Sequence, residues 1–125
     1  MKQDKIHKFV GDQLSLWPLA CSNFRALKDV KVREIEVGGL TVKLQFNPAR
    51  MISSAAKLNK EDIAKRRCFL CRENRPVEQI MLKFEGRKNK KYDILVNPYP
   101  IFPDHLVIAK SNHTDQSIWH RYVDM

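Results

Sequence analysis

A proline-rich turn between two apolar segments is the feature that most constrains how this chain can fold. Pro98, Pro100 and Pro103 fall within six residues, between an apolar run that ends at Val96 and another that begins near Leu106. Each proline fixes φ and removes a backbone donor, so we expect a rigid turn that joins two strands. A rigid turn loses little conformational entropy when a ligand binds, which makes it a good place for a binding site.

Composition predicts one folded domain over residues 1–125. Hydrophobic residues make up 43% of the chain and charged residues 30%, which is too apolar for a disordered segment. No window contains the roughly eighteen apolar residues that span a membrane. Asp12, Gln13 and Pro18 interrupt what would be the apolar core of a signal peptide. The sequence therefore predicts a cytoplasmic protein with no membrane partner.

The net charge of +9 comes from 23 basic against 14 acidic residues, and much of the excess is local. One cluster covers residues 65–67, and another covers residues 87–91 within a hairpin tip expected near residues 86–91. A positive surface attracts the phosphates of nucleic acids or of small nucleotides. A solvated surface that favours solubility explains the same charge.

Periodicity predicts both helices and strands along this chain. Helical spacing covers residues 4–14, and a second helix is expected to begin at Pro18. Gly38-Gly39 joins two strands. The apolar face of the second strand, formed by Leu40, Val42, Leu44 and Phe46, is expected to be buried and its other face solvated. A short helix follows its Asn59 cap. Three further strands are predicted over residues 80–84, 92–96 and 105–109. A final helix from residue 114 or 117 continues to the end, which suggests the N-terminal portion of a longer protein.

Cys68 and Cys71 have the spacing of a metal-binding knuckle, in which two thiolates approach one tetrahedral ion from a tight turn. A redox C-x-x-C motif would open a helix beside a βαβ unit, which this sequence lacks. A disulfide is disfavoured in a reducing cytoplasm. Zinc needs more ligands, and the candidates are His105, His113 and His120. Cys21 is expected to be a small buried residue.

The cysteine pair, the turn after Asn97 and the histidine in Ser111-Asn112-His113-Thr114 occur in an order that resembles the histidine-triad superfamily. The likeness is to its galactose-1-phosphate uridylyltransferase branch, over residues 40–118. The run Leu44–Arg50, with residues 53–56 after it, looks like an uncharacterised bacterial family. That family is related to these transferases and to the plant GDP-galactose phosphorylases.

This resemblance implies an α+β fold, in which a histidine-triad-like antiparallel sheet has flanking helices and this chain forms part of the domain. It also implies that the fold binds a nucleoside diphosphate sugar or a related nucleotide. Cys68, Cys71 and His113 would ligate a structural zinc ion. Asn97 would contact ribose or phosphate, and the nucleotide site would be completed by Tyr99 and Phe102 against the base and Arg50 as a candidate phosphate ligand. Ordinary turn chemistry at Asn97-Pro98, a core position for Tyr99 and a surface position for Arg50 are the alternatives.

The implied reaction is covalent nucleotidyl transfer. A histidine attacks the α-phosphorus and displaces the sugar phosphate or phosphate, and an acceptor phosphate then takes the nucleotidyl group. The family nucleophile is the second histidine of a downstream H-x-H motif, whose first histidine is the fourth zinc ligand. No H-x-H occurs in this sequence. We therefore assign no catalytic residue and expect this chain to be inactive alone.

Two other functions remain open at the level of sequence. The charge and the aromatic side chains also suit a basic zinc-knuckle module that holds nucleic acid, since rings among basic residues stack on single strands. The chain could instead be a non-catalytic assembly piece. Unpaired edges of a truncated sheet would then favour a homodimer.

Overall fold

Helices and antiparallel sheets are both present in the computed structural model, which describes residues 3–51 and 59–114. The helices are α1 (Gln3–Leu16), α2 (Pro18–Arg25) and the short α3 (Lys60–Lys65). The strands are β1 (Lys31–Val37), β2 (Leu40–Phe46), β3 (Leu82–Glu85), β4 (Lys91–Val96) and β5 (Leu106–Lys110). Strands β1 and β2 form one antiparallel sheet, and β3, β4 and β5 form another in that order. The predicted α+β class is confirmed.

The two N-terminal helices form where the sequence predicts them. Pro18 occupies the first turn of α2 and leaves Trp17 extended, with φ −122° and ψ 96°. A residue before proline avoids the helical region, so α1 ends there. The cap at Asn59 is also confirmed, because its side-chain oxygen accepts the Asp62 amide at 2.7 Å.

The main core lies between α1 and one face of the three-stranded sheet. Phe9 and Val10 of α1 pack with Ile94 and Val96 of β4, and all four are buried. The opposite face of β4 presents Asp93, which is also buried. Strand β4 therefore has apolar packing on one side and a buried charge on the other.

The β1–β2 hairpin corrects one prediction. Gly38 and Gly39 have φ values of +57° and +79°, as a tight hairpin turn requires. The apolar side chains of β2 share one face, but that face is exposed rather than buried, with fractional exposures from 38% to 71% for Leu40, Val42, Leu44 and Phe46. Alternation shows which side chains share a face, whereas burial also needs a second layer. Within the described residues, no helix or sheet covers this one.

The basic tip between β3 and β4 is a largely exposed turn. Lys88 and Asn89 adopt positive φ values of 56° and 57° there. The predicted C-terminal helix and His120 lie outside the described residues. Among the helices that are described, none combines the length and the apolar character that crossing a bilayer requires.

Candidate functional site

The cysteine knuckle is a hydrogen-bonded turn. The amide of Cys71 donates to the carbonyl of Cys68 at 3.1 Å, and the side chain of Asn74 donates to that carbonyl at 3.0 Å. The guanidinium of Arg75 donates twice to the carbonyl of Leu70, at 2.9 Å and 2.5 Å. These contacts hold both sulfurs on one side of a short loop.

His113 is brought to this loop by the end of β5. Its Nδ1 atom lies 3.1 Å from Sγ of Cys71, across 42 residues of sequence. The ligand atoms of Cys68, Cys71 and His113 all lie within 4.8 Å of one another. The three predicted metal-binding residues therefore lie close enough to bind one metal ion.

The donor set suits a borderline-soft ion. A tetrahedral zinc ion, with bonds of about 2.0–2.3 Å, separates neighbouring ligand atoms by about 3.5–3.8 Å. The present spacing needs only small adjustments to reach that geometry. A hydrogen bond from the Leu70 amide lowers the pKa of the Cys68 thiol, which favours the metal-binding thiolate. Burial and the neighbouring Cys68 raise the pKa of Cys71.

A buried ion pair and one further hydrogen bond connect the cysteine loop to the segment that precedes His113. Nη1 of Arg75 donates to Oδ2 of Asp93 at 2.8 Å, and the two side chains are only 5% and 2% exposed. The hydroxyl of Ser111 donates to the other carboxylate oxygen at 2.9 Å. Burial alone would raise the pKa of Asp93, but the hydrogen bonds from Arg75 and Ser111 hold it below its ordinary value. None of these three residues was predicted from the sequence, although a charge inside the apolar strand 92–96 was a usable signal.

The proline-rich turn is organised around His105. The amide of Asn97 donates to the His105 carbonyl at 2.9 Å, and the amide of Ile101 donates to Nδ1 of the imidazole at 3.2 Å. The ring of Phe102 packs against the imidazole, with centroids 4.6 Å apart. His105 is therefore a turn-organising residue, and it lies apart from the cysteine cluster that it was a candidate to join.

Amide side chains from α2 and β2, and from the residue after β2, satisfy carbonyls of this turn. Asn23 donates to Pro98 at 2.8 Å, Gln45 donates to Ile101 at 2.8 Å, and Asn47 donates to Pro100 at 3.2 Å. The turn is thus bonded both to the helices and to the hairpin. Nothing in the local sequence pattern indicated these long-range contacts.

The four predicted nucleotide-binding residues differ in their surroundings. The Asn97 side chain accepts the Tyr99 amide at 2.9 Å, the hydrogen bond expected of ordinary turn chemistry, and its Nδ2 atom lies 3.5 Å from Nε2 of His105. Phe102 is 53% exposed, whereas Tyr99 is half-buried. Arg50 lies close enough to His105 for its charge to act on the imidazole.

Two buried polar atoms beside this turn have no hydrogen-bond partner among the described residues. They are Oδ1 of Asn47 and Nε of Arg50. Buried polar groups are nearly always paired, so each unpaired group calls for an explanation. A polar ligand that reorients these side chains on binding would provide one.

His105 should make the protein less stable in acid. Burial and the charge of Arg50 lower its pKa below the ordinary value near 6.5. Its contribution is therefore fully present above pH of about 6.5 and is lost as the pH falls, because the unfolded state binds the proton more readily. We expect His105→Asn, which keeps an acceptor for the Ile101 amide, to show a smaller fall in melting temperature between pH 7 and pH 5.

Melting curves of His105→Asn and of the unaltered chain, recorded with a chelator present, would test this. An unchanged pH profile for His105→Asn would show that the half-buried imidazole of His105 does not contribute to the loss of stability in acid.

Strand β4 separates the two candidate sites. Asn97 follows one end of the strand, while Ser111, two residues before His113, donates its amide to the Lys91 carbonyl at the other end. Six strand residues span roughly 20 Å. The cysteine cluster therefore lies at the same end as the basic tip, well away from the proline-rich turn.

Comparison with known proteins identifies one family. No curated protein and no solved structure matches this chain. The family described as "Domain of unknown function (DUF4922)" matches residues 9–125, which include every described residue of both candidate sites. The chain therefore belongs to the DUF4922 family.

Proposed function

We propose that this domain is the nucleotide-binding and zinc-binding part of a nucleotidyltransferase or phosphorylase that acts on a nucleoside diphosphate sugar or a related nucleotide. The observation that carries the proposal is the approach of His113 to the cysteine pair. A histidine that leaves a strand and reaches a distant C-x-x-C loop is the arrangement implied by the resemblance to the uridylyltransferase branch. The antiparallel pairing of β3, β4 and β5 is consistent with it.

The metal has a structural role in this proposal. It lies at the end of β4 opposite the proline-rich turn, so it would not contact a ligand that the turn holds. Cys68, Cys71 and His113 would hold the ion and join the knuckle to the exit of β5. A bound zinc ion would supply cross-linking between these two segments.

The proline-rich turn is the nucleotide-binding side of the proposal. Arg50 supplies a positive charge beside the turn, and this charge together with partial burial lowers the pKa of the His105 imidazole. The exposed ring of Phe102 offers a face for a base, and Nδ2 of Asn97 offers a donor for ribose or phosphate. Tyr99, half-buried in the same turn, would complete the wall of the base site.

No catalytic residue is assigned, because the chain contains no H-x-H motif. The residues described here bind and orient a nucleotide, and the attack on the α-phosphorus needs a histidine from elsewhere. We therefore propose that this chain alone has no catalytic activity.

The nucleic-acid alternative has weaker geometric support. Non-specific binding of single strands needs basic and aromatic side chains on one surface. The exposed Phe102 ring lies beyond one end of β4, and the basic tip at residues 86–91 lies at the other. Phe69 and Phe84, which are 66% and 45% exposed, lie at the basic end, so a single strand would bind there rather than at the turn. The buried polar atoms without partners in Asn47 and Arg50 lie beside the turn, and they favour a small nucleotide at that place.

Arg50→Ala should weaken nucleotide binding by about 10-fold or more, because a hydrogen bond to a charged group contributes about 1.5–3 kcal/mol. UDP-glucose and GDP-mannose are suitable probes, titrated calorimetrically against the zinc-loaded protein. Arg87→Ala is the matched control, since it removes the same charge from the exposed basic tip.

Unchanged affinity in Arg87→Ala with a clear loss in Arg50→Ala would support the proposal. Absence of saturable binding to either probe would contradict it. Equal losses in both variants, together with steeply salt-dependent polynucleotide binding, would favour the nucleic-acid function instead.

A further inference from the structure

We infer that the buried carboxylate of Asp93 is a positioning residue for the metal site. It acts through two hydrogen-bonded connections, its two arms: one passes through Arg75 toward the cysteines, and the other passes through Ser111 toward His113. The inference rests on the proposed metal site and adds residues that hold its two halves together. Each oxygen of this carboxylate binds a residue that leads to a different part of the cluster, either the cysteine loop or the segment before His113. Oδ2 pairs with Arg75, and Oδ1 accepts the hydroxyl hydrogen of Ser111.

The arm toward the cysteines passes through Arg75. The guanidinium that pairs with Asp93 also donates twice to the carbonyl of Leu70, the residue immediately before Cys71. The position of the knuckle loop over the sheet is therefore fixed by a charge pair that is almost fully buried. Planar guanidinium groups are well suited to bridging a carboxylate and a carbonyl in this way.

The arm toward the histidine passes through Ser111. Beyond Lys110 the chain leaves β5, and Ser111 is then bonded by its amide to the Lys91 carbonyl and by its hydroxyl to Asp93. Only Asn112 separates this anchor from His113. If the hydroxyl contact is removed, more of the freedom of His113 must be lost when the metal binds, and affinity falls.

The strand itself explains why one residue can serve both arms. Asp93 lies opposite Ala109 in the β4–β5 register, one pair inward from Tyr92 and Lys110. It is thus on the central strand, next to the end at which both the knuckle and the exit of β5 arrive. Removal of a group that orients a metal ligand without contacting the metal typically lowers metal affinity by about 10–100-fold.

The test compares metal affinity in Ser111→Ala, Ser111→Thr and Asn112→Ala with that of the unaltered chain. Asn112 is the matched control, because it is the next residue and its exposed side chain has no hydrogen bond among the described residues. Affinity for Zn²⁺ would be measured by competition with a chromophoric chelator. Binding of Co²⁺, followed by its absorption spectrum, would report whether the ligand set is retained.

We expect Ser111→Ala to raise the dissociation constant for Zn²⁺ by about 10-fold while keeping the Co²⁺ spectrum. Asn112→Ala should match the unaltered chain, and Ser111→Thr, which keeps the hydroxyl, should recover most of the affinity. The melting temperature of metal-free Ser111→Ala should fall, because the buried Asp93 carboxylate loses a hydrogen bond. Affinities measured well below the melting temperature of each metal-free variant would therefore separate positioning of the ligand from general stability.

Other outcomes would overturn the inference. If Ser111→Ala binds Zn²⁺ as tightly as the unaltered chain, then Asp93 does not position His113, although the metal site itself stands. Equal weakening in Ser111→Ala and Asn112→Ala would point to general loosening of the loop. If the unaltered chain binds neither ion, the proposed metal site fails, and this inference fails with it.

Discussion

Asp93→Ala should lower the free energy of unfolding by about 3–5 kcal/mol, among the largest effects of a single substitution in this domain. The substitution leaves the guanidinium of Arg75 buried without its charge partner, since that side chain is only 5% exposed. It also removes the acceptor of the Ser111 hydroxyl. Urea denaturation followed by circular dichroism would measure the loss directly.

A double variant distinguishes the buried charge from the loss of volume. Replacing both members of a buried pair by apolar residues is often neutral or stabilising, so Arg75→Met combined with Asp93→Leu should recover much of the stability. The same double variant should not recover metal affinity, because both arms to the cluster are gone. A loss below 1 kcal/mol in Asp93→Ala would show that this ion pair is solvated in solution.

Zinc should raise the melting temperature of the unaltered chain by about 10 °C relative to chelator-treated protein. A ligand that binds only the folded state at 100 times its dissociation constant contributes about 2.7 kcal/mol, and a domain of this size gains about 4 °C per kcal/mol. Cys71→Ser should lose this response, because it removes one of the available sulfur ligands. Thermal unfolding with zinc and with chelator measures both.

Cys21→Ser is the matched control for that experiment. Cys21 is half-buried, whereas the sequence predicts a small buried residue, and it does not belong to the cluster of Cys68, Cys71 and His113. Its variant should therefore keep the full zinc response. A response that survives in Cys71→Ser but disappears in Cys21→Ser would place the metal elsewhere.

Much of the fold was predictable because its signals are local. Pro18 marks the start of α2, the glycine pair marks the β1–β2 turn, and the mostly apolar run at residues 92–96 marks β4. The burial of the β2 face could not be predicted in this way, because it depends on whether another layer covers Leu40 and Phe46. That is a tertiary property, and the alternation of a strand carries no information about it.

The same difference between local signals and tertiary contacts decides which residues of the candidate site could be predicted. The cysteine spacing predicted Cys68 and Cys71 but left His105, His113 and His120 open, and the resemblance to the uridylyltransferase branch selected His113. The residues that hold the cluster in place were not predicted. In a basic sequence Arg75 cannot be distinguished from a surface cation, and Ser111 cannot be distinguished from an ordinary loop residue. Asp93 was the exception that could have been recognised, since a carboxylate within an apolar strand needs a buried partner.

Metal content of the purified protein tests the central claim most directly. Elemental analysis of the unaltered chain, Cys68→Ser and His113→Ala would be compared after dialysis against metal-free buffer. The account predicts about one zinc ion per chain in the unaltered protein, and loss of that ion in both variants. Zinc retained in His113→Ala, or no zinc in the unaltered chain, would contradict a metal centre that joins the cysteine knuckle to the exit of β5.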